Sequence, residues 1–316
     1  MSSRKFSSGE WAVILGGSSG FGLASARKLA SQGLNICIVH RDRRGAMSRI
    51  EPEFDKIRGE GVSLITHNKD ALNPDVREDI LDDLRNKGGC DGAVRVLLHS
   101  IAFGNLKLIA PEGRQGEESR KRLADELGIK DAELTSVIDR LFVEGHDGLQ
   151  GLTSPPEYSS ENLLDEEDMA RTIESMGTNL LAWTQGMVER GLFSDDARVL
   201  GLTSEGNKVA WKGYAAVGAA KVALESVSRS IAVEMASLGV RSNIIQAGVT
   251  DTPALRMIPG NSHLKAQARI RNPFNRLTTP EDVANVVYLL SLPESSWING
   301  AIIRVDGGES ISGASR

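Results

Sequence analysis

The sequence predicts an α/β protein, a single doubly wound parallel sheet flanked by helices. Three observations carry this expectation. Short, continuous apolar runs of strand length recur along the chain, as in strands buried on both faces. A stretch of helical pattern follows most of them, so strand and helix alternate through nearly the whole sequence. The first strand and helix are joined by a glycine-rich loop, the arrangement of a dinucleotide-binding β–loop–α–β unit. With 316 residues, 40% of them hydrophobic, the chain has enough apolar mass for one large domain or two small ones, and the continuous alternation predicts one, spanning residues 1–316.

The elements follow in order. Trp11-Ala-Val-Ile-Leu15 reads as a buried strand and runs directly into Gly16-Gly-Ser18-Ser19-Gly20-Phe21-Gly22. The next residues, Leu23 to Gln32, read as a helix stopped at Gly33, before a second strand at Leu34–Val39. Glycines at 16, 20 and 22 let the backbone turn tightly and approach a pyrophosphate, and a helix N-terminus favours its charge. His40-Arg41-Asp42-Arg43-Arg44 ends the second strand. Arg41, supported by Arg43 or Arg44, suits a guanidinium fork on a 2′-phosphate and favours NADPH. Asp42 is the rival selector, for NADH, and a solvated charged turn is the plain alternative.

A helix from Met47 to Arg58 leads to a third strand, Val62–Thr66, then His67-Asn-Lys-Asp70-Ala71. Asp70 and the Ala71 backbone are placed to meet an adenine amino group, while Asn73 is suited to cap the helix from Pro74. A fourth strand, Val94–Leu98, ends in His99-Ser100-Ile101-Ala102-Phe-Gly104 at the expected cofactor crevice. Residues 105–168 lose the strand signal and turn acidic. Glu117–Leu127 and Ala132–Val143 read as two short helices with Leu123, Leu127, Leu134, Val137, Ile138 and Leu141 as their apolar stripes. Gly145–Ser160 reads as loop, with His146 and Asp147 solvated in it. This is an insertion and not an independent domain. It forms either a lid over the site or a surface elaboration.

Asp165–Arg190 reads as one long amphipathic helix, and Ala197–Thr203 as a fifth strand ending at Ser204. Tyr214-Ala-Ala-Val217-Gly-Ala-Ala-Lys221 opens a proline-free helix. If that helix includes Tyr214, a phenol and an ammonium share one face, a proton donor with its electrostatic tuner. Val240–Ala247 is a sixth strand, followed by Gly248, Thr250 and Thr252. Residues 254–276 mix apolar and basic residues with glycine and proline, as a mobile flap over an apolar substrate would. A helix from Pro280 to Leu290 and a last strand, Trp297–Val305, close the chain.

Composition narrows the partners. A net charge of −5 without basic blocks argues against nucleic acid or a membrane surface. Cys37 and Cys90 read as buried thiols of a reducing compartment, with no metal site. Met1-Ser-Ser-Arg-Lys-Phe6 lacks an apolar leader, and no run is long enough for a bilayer. These features predict a soluble, cytoplasmic protein.

The glycine spacing, Asp70, the helix with Lys221, Arg241-Ser-Asn243 before Ala247-Gly248, and Val305-Asp-Gly-Gly308 together resemble the short-chain dehydrogenase/reductases. Tyr214 lies seven residues before Lys221, with valine at 217 where most members carry tyrosine. That spacing, His99-Ser-Ile-Ala-Phe-Gly and Val305-Asp-Gly-Gly-Glu-Ser-Ile311 are similar to the enoyl-acyl-carrier-protein reductases. The resemblance implies a Rossmann fold, reduction of trans-2 enoyl thioesters on carrier protein or coenzyme A, and a homotetramer. It assigns Tyr214 to the enolate oxygen and Lys221 to the cofactor ribose. Ser204 stands where the enoyl reductases often have a further tyrosine and where ordinary members have a catalytic serine. The cofactor contacts it implies are Gly16, Ser18, Ser19, Gly20, Phe21, Gly22, Arg41, Asp70, Ala71, Ser100, Ile101, Ala102, Lys221, Thr250 and Thr252. No role attaches to Met176 or Asn179, near the family's helix asparagine. Basic residues Arg256, Lys265, Arg269, Arg271 and Arg276 are the expected docking points for an acidic carrier. A carbonyl reductase or hydroxyl dehydrogenase is the alternative, and a non-catalytic NAD(P)-binding sensor a third reading, which the presence of both Tyr214 and Lys221 opposes.

Overall fold

A computed structural model describes residues 5–86, 89–90, 92–111, 118–159 and 161–313. Its sheet has seven strands: β1 (Trp11–Leu15), β2 (Asn35–His40), β3 (Leu64–Asn68), β4 (Val94–His99), β5 (Phe193–Ser204), β6 (Val240–Ala247) and β7 (Ile302–Val305). Every ladder is parallel and the order is β3-β2-β1-β4-β5-β6-β7. The order reverses between β1 and β4, so a crevice opens outside their carboxyl ends. β1, β2 and β4 are buried at every position, which is why they read as unbroken apolar runs.

Helices cover both faces. α1 (Gly20–Ser31), α2 (Met47–Arg58) and α11 (Pro280–Ser291) bury Leu29, Phe54 and Val287 against Ala12, Ile14 and Ile38. α3 (Pro74–Asn86), α7 (Asn179–Glu189) and α8 (Ala215–Glu234) bury Leu84, Trp183 and Leu224 against Val13, Leu15 and Leu97. Alternate residues of one strand thus feed two separate cores, the period of two that a strand imposes. Asn73 caps α3 as expected, its Oδ1 accepting from Val76 N–H at 3.1 Å.

Several elements depart from the sequence reading. The third strand begins two residues later than predicted, and the seventh shrinks to Ile302–Val305, leaving Trp297 97% exposed. The stretch 165–190 is not one helix. α6 (Glu166–Ile173) and α7 are separated by a π segment, Glu174–Thr178, which buries Ser175, Met176 and Gly177. α4 (Glu118–Leu127) and α5 (Asp131–Val143) form as predicted, but of their apolar residues only Ala124, Leu134 and Ile138 are buried, while Leu123, Leu127 and Val137 stay exposed. The predicted bounds Glu117 and Ser160, and the first four residues of the N-terminus, lie outside the described residues. The segment 254–276, read as a flap, is built largely from two helices, α9 (Pro253–Arg256) and α10 (Asn261–Arg271).

The loop after α5 is folded onto α10. Arg269 donates to both carboxylate oxygens of Asp147 at 2.5 and 2.6 Å. Thr153 Oγ1 meets His263 Nε2 at 2.7 Å, and the Phe142 and His263 rings lie 5.0 Å apart. Asp147 is therefore an ion-pair partner and not a solvated loop residue, as the sequence had implied.

Candidate active site

The crevice at the β1–β4 switch point holds two adjoining cavities. One is lined by Gly16, Ser18, Ser19, Gly20, Phe21, Arg41, Asp70, Ala71, Ser100, Ile101, Ala102 and Thr252. The other is lined by Ser204, Tyr214, Lys221 and Thr250, and shares Phe21, Ser100 to Ala102 and Thr252 with the first. The predicted residues are thus brought together, apart from Gly22, which supports the loop from behind.

The glycine loop has no room for side chains. A Cβ on Gly22 would overlap the Gly16 carbonyl oxygen, and one on Gly16 would stand 2.6 Å from Ser100 O. Gly16 and Gly20 also take positive φ angles, 84° and 52°. The loop therefore packs its own backbone against the end of β4 and opens its outer side at the N-terminus of α1. Such a cradle fits a dinucleotide pyrophosphate. Across the groove, Arg41 donates to Asp70 Oδ2 at 2.7 Å and lies over the Phe103 ring at 4.5 Å. Asp70 Oδ1 accepts from Leu72 N–H at 3.0 Å. Asp42 is engaged by the His40 ring at 2.9 Å, while Asn68 holds its backbone.

The second cavity is largely apolar, walled by Leu106, Met176, Trp211, Val217, Ile258 and Leu264. Tyr214 does not lie inside the helix. α8 begins at Ala215, and Tyr214 occupies its N-cap with φ −108°. Its hydroxyl is 3.4 Å from Ser204 Oγ, and its ring packs edge-on against Trp211 with centroids 5.4 Å apart. Gly206 is required beneath it, because a Cβ there would overlap the tyrosine ring. Burial pushes the Tyr214 phenol above its usual range, opposed by the Ser204 hydrogen bond, so it stays protonated as a donor.

Lys221, on the buried side of α8, donates to Leu202 O at 2.9 Å. Burial pushes its ammonium down to about 8, opposed by the charge of Glu225. Glu225 accepts from Thr203 Oγ1 at 2.7 Å and Asn207 Nδ2 at 2.5 Å, tying the β5 end to α8. Beneath lies His99, 1% exposed. Burial and the Lys221 charge hold it down to about 3, so it is neutral in ordinary buffers.

Sequence reasoning gave no role at this site to Glu205 and Glu309, and took Arg271 for a carrier-docking residue. Arg271 of α10 donates to Glu205 Oε1 at 2.5 Å and Glu309 Oε1 at 3.0 Å. Glu309 is buried and also accepts from Val249 N–H at 3.2 Å. Desolvation raises the Glu309 carboxyl above its usual range. The sequence signal was a glutamate directly after Asp306-Gly-Gly308; its partner, Arg271, lies too far along the chain to be paired by inspection.

The comparisons with known proteins agree with this geometry. Residues 154–310 match the family described as Enoyl-(Acyl carrier protein) reductase. An uncharacterized oxidoreductase of Mycobacterium tuberculosis is 26% identical over 298 residues, covering 94% of this chain and 90% of that protein. The chain belongs to the short-chain dehydrogenase/reductase superfamily. It is accordingly an NAD(P)-dependent oxidoreductase. Cis-4-hydroxycyclohexanecarboxylate dehydrogenase of Sinomonas cyclohexanicum is 32% identical over 118 residues, which span 37% of this chain and only 44% of that relative. The fold matches a short-chain dehydrogenase of Burkholderia cenocepacia in complex with NADP (TM-score 0.67, 22% identity, 97% of this chain and 99% of that one). It matches equally an enoyl-(acyl-carrier-protein) reductase of Anaplasma phagocytophilum in complex with NAD (TM-score 0.68, 16% identity, 99% and 96%).

Proposed function

We propose that this short-chain dehydrogenase/reductase reduces the trans-2 double bond of enoyl thioesters, using NADPH, with NADH as the alternative cofactor. The observation that carries the reading is the position of the phenol. Tyr214 caps α8, and the buried Val217 stands four residues before Lys221 instead. Three residues of helical rise amount to about 4.5 Å, so the proton donor is displaced along the axis from position 217. A carbonyl reductase needs hydride and proton at the two ends of one C=O bond. Conjugate reduction separates them, with the hydride at the β-carbon and the negative charge on the thioester oxygen further along. The displaced phenol suits the second demand.

In this reading Tyr214 donates to the developing enolate oxygen, and Ser204 orients either that hydroxyl or the thioester carbonyl. Lys221 holds the cofactor ribose and maintains positive charge beneath the site. Gly16, Ser18, Ser19, Gly20, Phe21 and Gly22 receive the pyrophosphate, Asp70 and Ala71 the adenine, and Arg41 a 2′-phosphate. Ser100, Ile101, Ala102, Thr250 and Thr252 complete the cofactor contacts. A bound nicotinamide supplies the hydride. NADPH is supported by Arg41 and Lys69 lining the groove and by His40 occupying the Asp42 carboxylate. The whole chain forms one catalytic unit, with residues 105–168 as its insertion.

The acyl group arrives as a thioester of coenzyme A or a carrier protein. The five basic residues expected to dock an acidic carrier are each matched by a carboxylate of this chain. Arg256 and Lys265 face Asp251, Arg269 faces Asp147, Arg271 faces Glu205 and Glu309, and Arg276 faces Asp282. They supply little free positive charge for a partner. Self-association is supported by exposed Trp297 and Leu289 near the β7 edge and is tested by light scattering. Among the described residues no helix is long and apolar enough to cross a membrane, and buried Cys37 and Cys90 accord with a cytoplasmic setting.

The contact of Ser204 with Tyr214 favours one rival reading, a carbonyl reductase built on that pair. Oxidation of NADPH by a crotonyl thioester, set against an acetoacetyl thioester, separates the two. Turnover with the first and not the second supports the enoyl reading, and the reverse supports the rival.

A further inference from the structure

We infer that Asp147 of the insertion is a positioning residue that sets substrate size: through Arg269 it fixes α10 and restricts the site to short or compact acyl groups. The inference rests on the thioester reading above but concerns a separate property of the same cavity.

The substrate cavity has a volume of about 180 Å³. An apolar cavity of about 150 Å³ holds a molecule the size of benzene. Pockets for drug-sized ligands run from about 300 Å³ upward. As built, the enclosed part of the cavity holds a crotonyl-sized group, and a longer chain runs out through its open side. Its outer wall includes Ile258 and Leu264, the latter on α10. For a longer chain to be taken in and not left in solvent, α10 must shift.

Two sets of contacts hold α10 in place. On the inner side, Arg271 ties it to Glu205, beside Ser204, and to Glu309. On the outer side, the insertion grips it through the two-pronged Arg269–Asp147 pair and the His263–Thr153 hydrogen bond. Asp147 and Arg269 are partly buried, with side-chain exposures of 17% and 34%. A bidentate pair screened in this way fixes geometry better than a mobile surface pair. Just before α10, Gly260 presses on Pro156, where a Cβ would stand 2.7 Å from the proline ring. Residues 147 to 156 therefore form a brace along the outside of the wall. The inner clamp belongs to the site itself, whereas the outer one lies away from Tyr214 and can be cut alone.

The test measures kcat/KM for enoyl thioesters of four, eight and twelve carbons, in wild type and in Asp147→Ala, Arg269→Gln and the charge exchange Asp147→Arg/Arg269→Asp. Wild type should favour the four-carbon substrate. Both single variants should lower the ratio of short- to long-chain kcat/KM at least tenfold, mainly through KM. Asp147→Glu or the exchanged pair should recover much of the preference. Cofactor affinity and the unfolding midpoint serve as folding controls. An unchanged ratio in well-folded single variants overturns the inference, as does a wild type that prefers twelve carbons. If wild type reduces no enoyl thioester, the functional reading fails instead. The same ratio is then read with 3-oxo thioesters of the three lengths, where the brace makes the same prediction.

Discussion

Arg41 and Asp70, two residues expected to contact different parts of a dinucleotide, bond to each other across the groove at 2.7 Å. The pair sets the guanidinium beside the end of β2, where a 2′-phosphate would meet it. Both side chains are substantially exposed, so the bond adds little to stability and is readily exchanged for a ligand.

Arg41→Ala should therefore raise the KM for NADPH while changing the KM for NADH little. Charge-assisted hydrogen bonds are worth about 1.5–3 kcal/mol, which corresponds to roughly a 10- to 100-fold effect on NADPH. Titration of each cofactor against wild type and variant, followed by fluorescence, checks this. Equal losses for both cofactors would assign Arg41 to a general structural role.

Gly22→Ala should abolish cofactor binding, because the new methyl would collide with the backbone at Gly16, which has no rotamer to change. Gly45, with open space around it, is the control: Gly45→Ala should bind both cofactors normally. Calorimetric titration distinguishes the two variants.

Lys221 predicts a pH effect on stability. Its ordinary value of 10.5 falls to about 8 in the folded chain, chiefly through burial. Between these limits the unfolded chain binds the extra proton, so this group makes stability rise with pH from about 8 to 10.5. The corresponding stabilisation is lost as pH falls through 8. Lys221→Met should consequently unfold at a higher temperature than wild type at pH 7, the difference shrinking as pH approaches 10.5. Thermal melts across that range provide the check; a variant less stable at pH 7 would contradict it.

His99 acts in the acid range in the same sense. Burial first, then the Lys221 charge, lower it from 6.5 to about 3. The unfolded chain takes up a proton there that the folded chain refuses, so stability contributed by neutral His99 is lost as pH falls from 6.5 toward 3. The slope for one such group is about 1.4 kcal/mol per pH unit. His99→Gln should flatten the acid limb of a stability–pH curve by that amount, and an unchanged limb would show that other groups dominate.

Local features were the legible ones. The Trp11–Leu15 run, the glycine loop and α1 are contiguous in sequence, and each follows from hydrophobic pattern and backbone sterics alone. The same holds for Asn73 capping α3. What escaped depended on distance along the chain. Asp147 was read as solvated because its partner, Arg269, lies 122 residues away. Arg269 and Arg271 looked free for docking because their carboxylates, Asp147, Glu205 and Glu309, lie 122, 66 and 38 residues away, whereas Arg256 and Arg276 pair with Asp251 and Asp282, only five and six residues off. The π segment at Glu174–Thr178 has no period that distinguishes it from the flanking helices. Tyr214 was identified with its spacing to Lys221, but its place outside the helix comes from the packing of Gly206 and Trp211 around its ring.

In the enoyl reading the phenol of Tyr214 serves an enolate oxygen set apart from the carbon that takes the hydride. Steady-state reduction of a crotonyl thioester by wild type and Tyr214→Phe, with cofactor affinity measured in parallel, tests it most directly. Loss of a single hydrogen-bond donor to a developing oxyanion costs about 10²–10³ in kcat, and that is the fall predicted, with NADPH binding nearly unchanged. Undiminished turnover in Tyr214→Phe would contradict the claim.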